Sequence, residues 1–96
     1  MEIYLFARLQ GRPGTQRELK KAIHDVQGPT RAEPGCLDYH AFQSIKVPEE
    51  FYVHSRWRDL AAFEHHVRQH HTIRFSERIE KLMDQSLSPV LTELMP

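Results

Sequence analysis

The most regular feature of the chain is an alternation of apolar and polar side chains that recurs in three short segments. Residues 2–10 show it first, with the odd-numbered side chains from Ile3 to Leu9 pointing to one side. A period of two is that of a β-strand with one covered face. The same period returns in residues 36–45 and 51–57, and two such strands joined by a short loop predict an antiparallel hairpin. A last short strand is predicted over residues 89–94.

Apolar residues at helical spacing fill the intervals between these strands. Thr15 is expected to begin the first helix, because Thr15-Gln16-Arg17-Glu18 has the spacing of a capping box in which Thr15 accepts from a free backbone N–H and Glu18 reaches back. Gly28-Pro29 is expected to kink or stop this helix. Asp59 is the predicted N-cap of a second helix, and a third covers residues 72–84. The second helix is expected to bury Leu60, Phe63 and Val67, and the third Phe75, Ile79, Leu82 and Met83.

The order of elements is therefore β-α-β-β-α-(α)-β, which is the ferredoxin-like split βαβ plan. It predicts an α+β protein with one antiparallel sheet and the helices packed on one of its faces. A length of 96 residues sets the expectation of a single domain over residues 1–96. The face covered by the helices is predicted to carry eight residues: Ile3, Leu5, Ala7, Leu9, Leu37, Tyr39, Val53 and Trp57.

The opposite face of the predicted sheet mixes large aromatic residues with charges. A sheet face in contact with water is normally polar throughout. The aromatic residues on this face are Tyr4, Phe6, Phe42 and Tyr52. Because extended apolar surface is uncommon on monomers, the pattern favours a second copy of the chain packed sheet to sheet in a two-fold homodimer. Scattered exposed aromatic residues on a monomer are the alternative.

Composition and charge restrict the partners. The chain has 13 Lys+Arg and 13 Asp+Glu, so its formal net charge is 0, which argues against nucleic-acid binding and against electrostatic attachment to a membrane. No apolar run approaches the length of about 18 residues that a membrane span needs. Cys36 is the single cysteine, which excludes an internal disulfide framework. The start of the sequence lacks the basic residues of a signal peptide, so a cytoplasmic location is predicted.

Histidine is the reactive residue type in surplus, with four of seven in residues 65–71. His71 lies one helical turn beyond Val67 and is expected to face the sheet, where an imidazole could act as a base or orient a ligand. His66 and His70 share one flank, a spacing that also permits metal binding, although no second ligand motif accompanies them. Structural roles near a helix C-terminus are the third alternative. Phosphate loops and dinucleotide fingerprints are absent from the sequence, so nucleotide and flavin sites are not predicted.

Two aromatic residues are expected close to His71. Trp57 ends the third strand on the covered face, where it either packs in the core or forms one wall of a pocket for a flat aromatic ligand. Tyr39 on the neighbouring strand faces the same way and could supply a hydroxyl group. Cys36 has no assured basic neighbour, so it is predicted to be a small buried hydrophobic residue and not a nucleophile.

Several segments resemble the antibiotic biosynthesis monooxygenase family. The stretch Thr30–Tyr39, which reads Thr-Arg-Ala-Glu-Pro-Gly-Cys-Leu-Asp-Tyr, resembles the approach to that family's second strand, and Phe51–Trp57 resembles its third strand. His66 and His71 resemble its spaced histidine pair, and Pro13-Gly14 after the first strand also fits. The resemblance covers nearly the whole chain. It implies a dimeric α+β barrel with a pocket between the sheet and the helices of each chain.

The resemblance also implies a range of activities. Members of the family include cofactor-independent oxygenases of phenolic or quinol substrates, heme-degrading enzymes and small-molecule isomerases. Heme-degrading members use an Asn on the first strand, and the matching position here is Ala7. Many members carry a Glu two residues before the strand-end Trp, where this chain has Ser55. Residues 79–83 and 94–96 look like the isomerase branch that processes a phosphorylated ketone autoinducer, but no basic cluster for the phosphate is evident.

Residues and resemblance together predict a cofactor-independent monooxygenase that oxidises a small aromatic substrate of the phenol or quinol type. A base removes the phenolic proton and the anion donates an electron to molecular oxygen, so neither a cofactor nor a metal is predicted. His71 and Trp57 are the predicted catalytic residues, as base and as pocket wall. The predicted substrate-binding residues are Tyr39, His66, Phe63 and Phe75. An isomerase of the autoinducer-processing type and a non-catalytic dimeric ligand-binding module are the alternatives.

Overall fold

Strands and helices follow one another in the predicted order. The computed structural model describes residues 1–85 and 87–96. Its elements are β1 (Ile3–Gln10), α1 (Gln16–Arg31), β2 (Cys36–Gln43), β3 (Glu50–Trp57), α2 (Leu60–Val67), α3 (His70–Glu80) and β4 (Val90–Thr92). The strands form a four-stranded sheet in the order β2-β3-β1-β4, with antiparallel neighbours throughout, which confirms the ferredoxin-like α+β fold. None of the helices in these described ranges is long and apolar enough to cross a membrane.

The core lies between the helices and one face of the sheet. In the central strand pair, Ala7 stands opposite Val53 and Leu9 opposite Phe51, and all four side chains are buried. The apolar stripe of α1 covers them with Leu19, Ala22, Ile23 and Val26. Ile79 of α3 is also buried in this core. The apolar faces predicted from the helical and strand periods therefore pack against each other in one layer.

Leu37 departs from the predicted covered face because β2 is irregular at its start. Cys36 pairs with Trp57 and Asp38 pairs with Arg56, so Leu37 has no partner on β3. An extra residue of this kind shifts the alternation by one position. Leu37 is exposed and Cys36 packs against the core instead, so the prediction for Leu37 is wrong. From Asp38 onward, the side chains of β2 alternate between the two faces of the sheet as predicted.

The ends of α1 differ from the sequence prediction. Thr15 stands at the N-cap, but its hydroxyl donates to the Arg12 carbonyl at 2.6 Å and makes no capping bond, so the predicted capping box is wrong. The helix also continues past Pro29 for two residues. Pro29 deprives the Asp25 carbonyl of its helical partner. Because both residues are exposed, that carbonyl can bond to solvent and the helix tolerates the interruption.

The second helix begins as predicted but buries a different face. Asp59 Oδ1 accepts from the Ala62 N–H at 2.8 Å, which confirms the N-cap. Ala62 is the buried residue of α2, whereas Leu60 and Val67 are exposed, so the predicted burial of these two is wrong. The cause is close packing against Gly35, where an added Cβ would overlap the Ala62 side chain.

The third helix begins earlier than predicted, at His70 and not at residue 72, and ends at Glu80. Arg68 and Gln69 separate it from α2. His71 therefore does not continue the face of α2 that carries Val67. His71 lies in the first turn of α3, and the direction of this helix determines where the His71 imidazole points.

The uncovered face of the sheet carries the predicted aromatic residues. Phe6, Phe42 and Tyr52 are 52%, 56% and 42% exposed. The ring of His54 lies 4.8 Å from that of Phe6. Ion pairs cross the same face, joining Arg56 to Glu2 and Asp38, and Arg8 to Glu50. This face is thus a mixture of apolar and charged surface, as the alternation indicated.

Candidate functional site

A small cavity lies between the covered face of the sheet and the helices, with a volume of about 180 Å³. A cavity of about 150 Å³ is enough to hold one benzene molecule. Its apolar wall is formed by Leu5, Ala7, Leu9, Val26, Val53, Phe63, Val67, Phe75, Leu87 and Pro89. Its polar wall residues are Thr30, Tyr39, Ser55, His66, Thr72 and Ser76. A larger depression of about 460 Å³ beside α3 has no histidine among its described lining residues.

The structure divides the predicted site residues into two groups. Those that line the cavity are Tyr39, Phe63, His66 and Phe75. Trp57 lies behind the wall: it is fully buried, its ring is 4.4 Å from that of His66, and its Nε1 donates to Ser55 Oγ at 2.9 Å. Trp57 therefore supports two wall residues instead of forming the wall itself. His71 also lies outside the lining.

His66 and His71 meet on one carboxylate. Glu33 Oε2 is 2.7 Å from His66 Nδ1 and 2.7 Å from His71 Nε2. The side chains are 6%, 13% and 23% exposed for Glu33, His66 and His71. The three residues come from the turn after α1, the last turn of α2 and the first turn of α3. We call them the Glu33 cluster.

The hydrogen bonds of the Glu33 cluster fix the protonation pattern of His66. A carboxylate only accepts, so Nδ1 of His66 carries the proton that it donates to Glu33. Nε2 of a neutral His66 is then an acceptor, and among the described residues it has no hydrogen-bond partner. Burial lowers the pKa of His66 below its ordinary value of 6.5, although the hydrogen bond and charge of Glu33 act in the opposite direction. His66 is therefore neutral at pH 7 and able to accept a proton from a ligand in the cavity.

The Glu33 cluster also contains the donor types of a metal site. One donor atom of each residue lies within 4.8 Å of the others. In a tetrahedral zinc site, ligand bonds of about 2.1 Å would hold the donor atoms about 3.4 Å apart. Here Oε2 is 2.7 Å from each nitrogen, which is hydrogen-bond spacing, so a metal ion would have to push the donors apart. His70 is exposed, lies outside the cluster and begins α3, so it does not share one helical flank with His66 as the spacing predicted.

Two further titratable groups near the cavity are held in their neutral forms. Burial raises the pKa of Tyr39 to about 12, so its hydroxyl remains a hydrogen-bond donor at any physiological pH. Burial, together with the charges of Glu33 and Asp38, raises the pKa of Cys36 to about 11. The Cys36 thiol lies 3.6 Å from the Asp38 carbonyl, to which it donates. A thiol held in this form is a poor nucleophile, in agreement with the structural role predicted for it.

Glu33 and Thr30 are the site residues that sequence reasoning missed. Glu33 follows the C-terminus of α1, where the helix dipole disfavours a negative charge. An acidic residue in that position, just before Pro34-Gly35, indicates that groups elsewhere in the fold stabilise its negative charge. Thr30 is fully buried in the last turn of α1 and lines the cavity. Nothing in its local sequence distinguishes it from a core threonine.

The fold and the site define an α+β protein with an apolar, single-ring cavity whose wall includes a carboxylate-bound histidine. The sequence profile of the antibiotic biosynthesis monooxygenase family matches residues 2–85. The chain therefore belongs to the antibiotic biosynthesis monooxygenase family, as the resemblance implied.

Three similar proteins illustrate the relation. The crystal structure of PA3566 from Pseudomonas aeruginosa is 30% identical, with a TM-score of 0.91 over 99% of this chain and 95% of that one. Rv0793 from Mycobacterium tuberculosis, whose name provisionally calls it a monooxygenase, is 26% identical over 98% of this chain and 90% of its own length. Its structure superposes with a TM-score of 0.93 over 100% of this chain and 97% of that one. The uncharacterized protein sll1783 from Synechocystis is 26% identical over 91% of this chain, which spans 57% of that protein's length.

Proposed function

We propose that this protein is a cofactor-independent monooxygenase that oxidises a small, single-ring phenol or quinol. The observation that carries the proposal is His66: it stands in the wall of an apolar cavity of about 180 Å³ and donates from Nδ1 to the buried Glu33 at 2.7 Å. This arrangement leaves Nε2 as a base in a pocket lined mostly by apolar side chains. Names of relatives that refer to monooxygenases support the class of reaction.

The chemistry requires only a base, a dry cavity and molecular oxygen. His66 removes the phenolic proton, which gives an electron-rich phenolate. The phenolate transfers one electron to O₂, and the resulting radical pair combines to form a carbon–oxygen bond. Loss of the ring proton and cleavage of the O–O bond then give a quinone and water, so that phenol and O₂ become benzoquinone and H₂O. The protein contributes orientation and proton transfer, and the substrate itself supplies the electrons.

The base in this proposal is His66 and not the predicted His71. His66 lines the cavity, whereas the Nε2 of His71 is engaged with Glu33 outside the lining. His71 acts as a positioning residue, because it shares Glu33 Oε2 with His66 and so restricts the carboxylate that orients the base. Trp57, at 4.4 Å, fixes the plane of the His66 ring from behind.

Cavity size selects among the substrates found in the family. A space that fits one ring excludes a tetrapyrrole, which agrees with Ala7 in the wall at the position matching the Asn of heme-degrading members. Ser55, at the position where many members carry Glu, accepts from the Trp57 indole and adds no charge to the cavity. An uncharged wall suits a neutral phenol better than a phosphorylated ketone.

We further propose that two copies of the chain pair through the uncovered face of the sheet. Phe6, Phe42 and Tyr52 are each at least 42% exposed there and would be covered by the same residues of a second copy. Arg56, paired with Glu2 and Asp38, would lie at the charged margin of this contact. Such a dimer supplies the second layer that a chain of this length needs to bury its sheet on both sides.

Oxygen uptake tests the proposed reaction. The native protein is mixed with a panel of single-ring phenols and quinols, and O₂ consumption is compared with autoxidation in buffer. Replacement of His66 by Gln is expected to lower turnover of an active substrate by a factor of about 10²–10⁴, the usual contribution of a general base. His65→Gln is the matched control, because His65 is exposed on the same helix and its side chain bonds, within residues 1–85 and 87–96, only to Gln69.

The outcomes separate the proposed reaction from its alternatives. Equal turnover by His66→Gln and His65→Gln would refute the assignment of the base. Incorporation of solvent deuterium into a phosphorylated ketone without O₂ consumption would favour the isomerase. Tight binding of phenols to the native protein with neither reaction would favour a ligand-binding module.

A further inference from the structure

The Glu33 cluster brings three metal-binding side chains to one largely buried place. Donor atoms of Glu33, His66 and His71 all lie within 4.8 Å of one another. Two imidazoles and one carboxylate are a ligand set that proteins use for zinc and for other divalent transition metals. Glu33 Oε1 gives a second, independent indication, because it is buried and has no hydrogen-bond partner within residues 1–85 and 87–96. The carboxylate therefore keeps one oxygen available for a cation.

The cluster can widen enough to accept an ion. A proton now lies between Glu33 Oε2 and each histidine nitrogen, at N–O distances of 2.7 Å. An ion in place of these protons needs donors about 3.4 Å apart, so each distance must increase by about 0.7 Å. No hydrogen bond from the described residues holds Oε1 against this movement. Glu33 also borders a surface pocket of about 300 Å³, where Arg58 and Asp59 offset each other's charge, and this pocket offers an ion access from solvent.

An ion in the Glu33 cluster would lie behind His66 and not in the cavity. Of the three ligands only His66 lines the cavity, and its Nδ1 is directed to Glu33. The imidazole ring therefore separates the ion from a molecule in the cavity. When Nδ1 of a neutral imidazole binds a metal, the remaining proton is carried by Nε2. His66 then donates into the cavity and can no longer accept a proton there.

We propose that the Glu33 cluster is a regulatory site for Zn²⁺, and that the bound ion prevents His66 from acting as a base. Three protein ligands leave a fourth position of the zinc ion for water. The metal site itself is independent of the reaction, whereas the inhibition rests on the proposed function. The ion is an inhibitor and not a cofactor, since it does not reach the substrate.

Metal titration tests the site without reference to activity. The native protein is freed of metal with a chelator and titrated with ZnCl₂ in a calorimeter, where one ion per chain is expected. His71→Gln removes one ligand and is expected to raise the Kd at least about 10–100-fold, the usual effect of losing even a residue that supports a ligand. His70→Gln is the matched control and should keep the native Kd, because His70 is exposed beside His71 and lies outside the cluster.

Two further measurements follow the state of His66 in the native chain. Nitrogen-15 NMR is expected to show its proton on Nδ1 without metal and on Nε2 in saturating Zn²⁺, a readout that needs no variant to fold. With an active phenol, saturating Zn²⁺ is expected to lower O₂ uptake by a factor of about 10²–10⁴, the loss expected for His66→Gln. Half-inhibition should need more Zn²⁺ in His71→Gln than in the native protein.

Each outcome decides the proposal. Absence of Zn²⁺ binding, equal Kd values for His71→Gln and His70→Gln, or a proton retained on Nδ1 in saturating Zn²⁺ would overturn the site. Unchanged or faster O₂ uptake with Zn²⁺ bound would overturn the inhibition. A Kd that depends on His71 in a protein that oxidises no phenol would retain the metal site and refute the monooxygenase. O₂ uptake that depends on His66 in a protein that binds no Zn²⁺ would do the reverse.

Discussion

Replacement of Glu33 by Gln removes the charge that joins the two histidines and nearly preserves the volume of the side chain. In the native chain one oxygen accepts from both His66 and His71 at 2.7 Å, and the carboxylate is 6% exposed. Glutamine offers one acceptor oxygen and one donor nitrogen. It can therefore replace the shared acceptor only with neutral hydrogen bonds, and its NH₂ group must occupy the buried position of Oε1, which has no partner among the described residues.

The expected loss in free energy of unfolding follows from the change in hydrogen bonding. A hydrogen bond to a charged group contributes about 1.5–3 kcal/mol and a neutral one about 0.5–1.5 kcal/mol. The conversion of two charged bonds to neutral ones costs about 1–3 kcal/mol in total, and a newly buried, unpaired NH₂ adds about 1 kcal/mol. Relief of the buried charge offsets about 1 kcal/mol of this sum. We expect the free energy of unfolding to fall by about 2 kcal/mol.

Urea unfolding at pH 7.5 measures this loss, with all variants at one protein concentration because assembly would add to stability. Glu64→Gln is the control: Glu64 is exposed on α2, so its replacement is expected to change the free energy of unfolding by less than about 0.5 kcal/mol. A Glu33→Gln variant as stable as Glu64→Gln would refute the view that the Glu33 cluster holds the three segments together.

The pH dependence of the same variant has a definite sign. Burial keeps the pKa of His66 below 6.5 in the folded chain, while Glu33 acts to raise it. Between the folded pKa and the unfolded value near 6.5, only the unfolded chain binds the proton, so stability falls as the pH drops through this window. Removal of the Glu33 charge lowers the pKa of His66 further and extends the loss to lower pH. NMR titration of the His66 ring checks the direction, and a higher pKa in Glu33→Gln would contradict it.

Three further experiments test separate parts of the structure. Phe6→Asp places a charge on the uncovered face and is expected to give monomers in sedimentation, whereas an unchanged sedimentation profile would refute the proposed dimer. Gly35→Ala is expected to cost about 1–3 kcal/mol because its Cβ would overlap Ala62, while Gly28→Ala, with open space around it, should be neutral or stabilising in the same unfolding assay. Cys36, with its pKa of about 11, is expected to react with iodoacetamide at pH 8 far more slowly in the folded than in the urea-unfolded chain; equal rates would contradict its burial.

The fold could be predicted from the sequence because the hydrophobic patterns that define its elements are local and repeated. The alternation over residues 2–10 predicts β1 within one residue of Ile3–Gln10, and two further alternating segments predict the antiparallel hairpin of β2 and β3. Prediction failed where packing between distant segments decides the outcome. Leu37 points outward because of an extra residue in the pairing with β3, and α2 turns Ala62 inward because Gly35 leaves room for it. Neither contact leaves a trace in the local pattern.

The candidate site could be predicted only in part, because it too depends on contacts between distant segments. The resemblance paired His66 with His71, whereas sequence periodicity assumed that the helical face carrying Val67 continues to His71. The break at Arg68 and Gln69 reorients His71. Glu33, which precedes the two histidines by 33 and 38 residues, connects them through its carboxylate. A residue whose role depends on two long-range contacts has no local signature beyond an acidic group at the end of a helix.

The energetic cost of burying the Glu33 carboxylate argues that the Glu33 cluster has a functional role in addition to its role in stability. A buried carboxylate with one oxygen left without a partner among the described residues is less favourable than an apolar side chain of the same size. The same holds for Thr30 Oγ1 in the cavity wall. Both polar atoms lie within or directly behind a cavity that a fully packed core of this size would have filled. The proposed function explains the cost at Glu33: the carboxylate orients His66, the proposed base, through a hydrogen bond of 2.7 Å that an apolar side chain could not make.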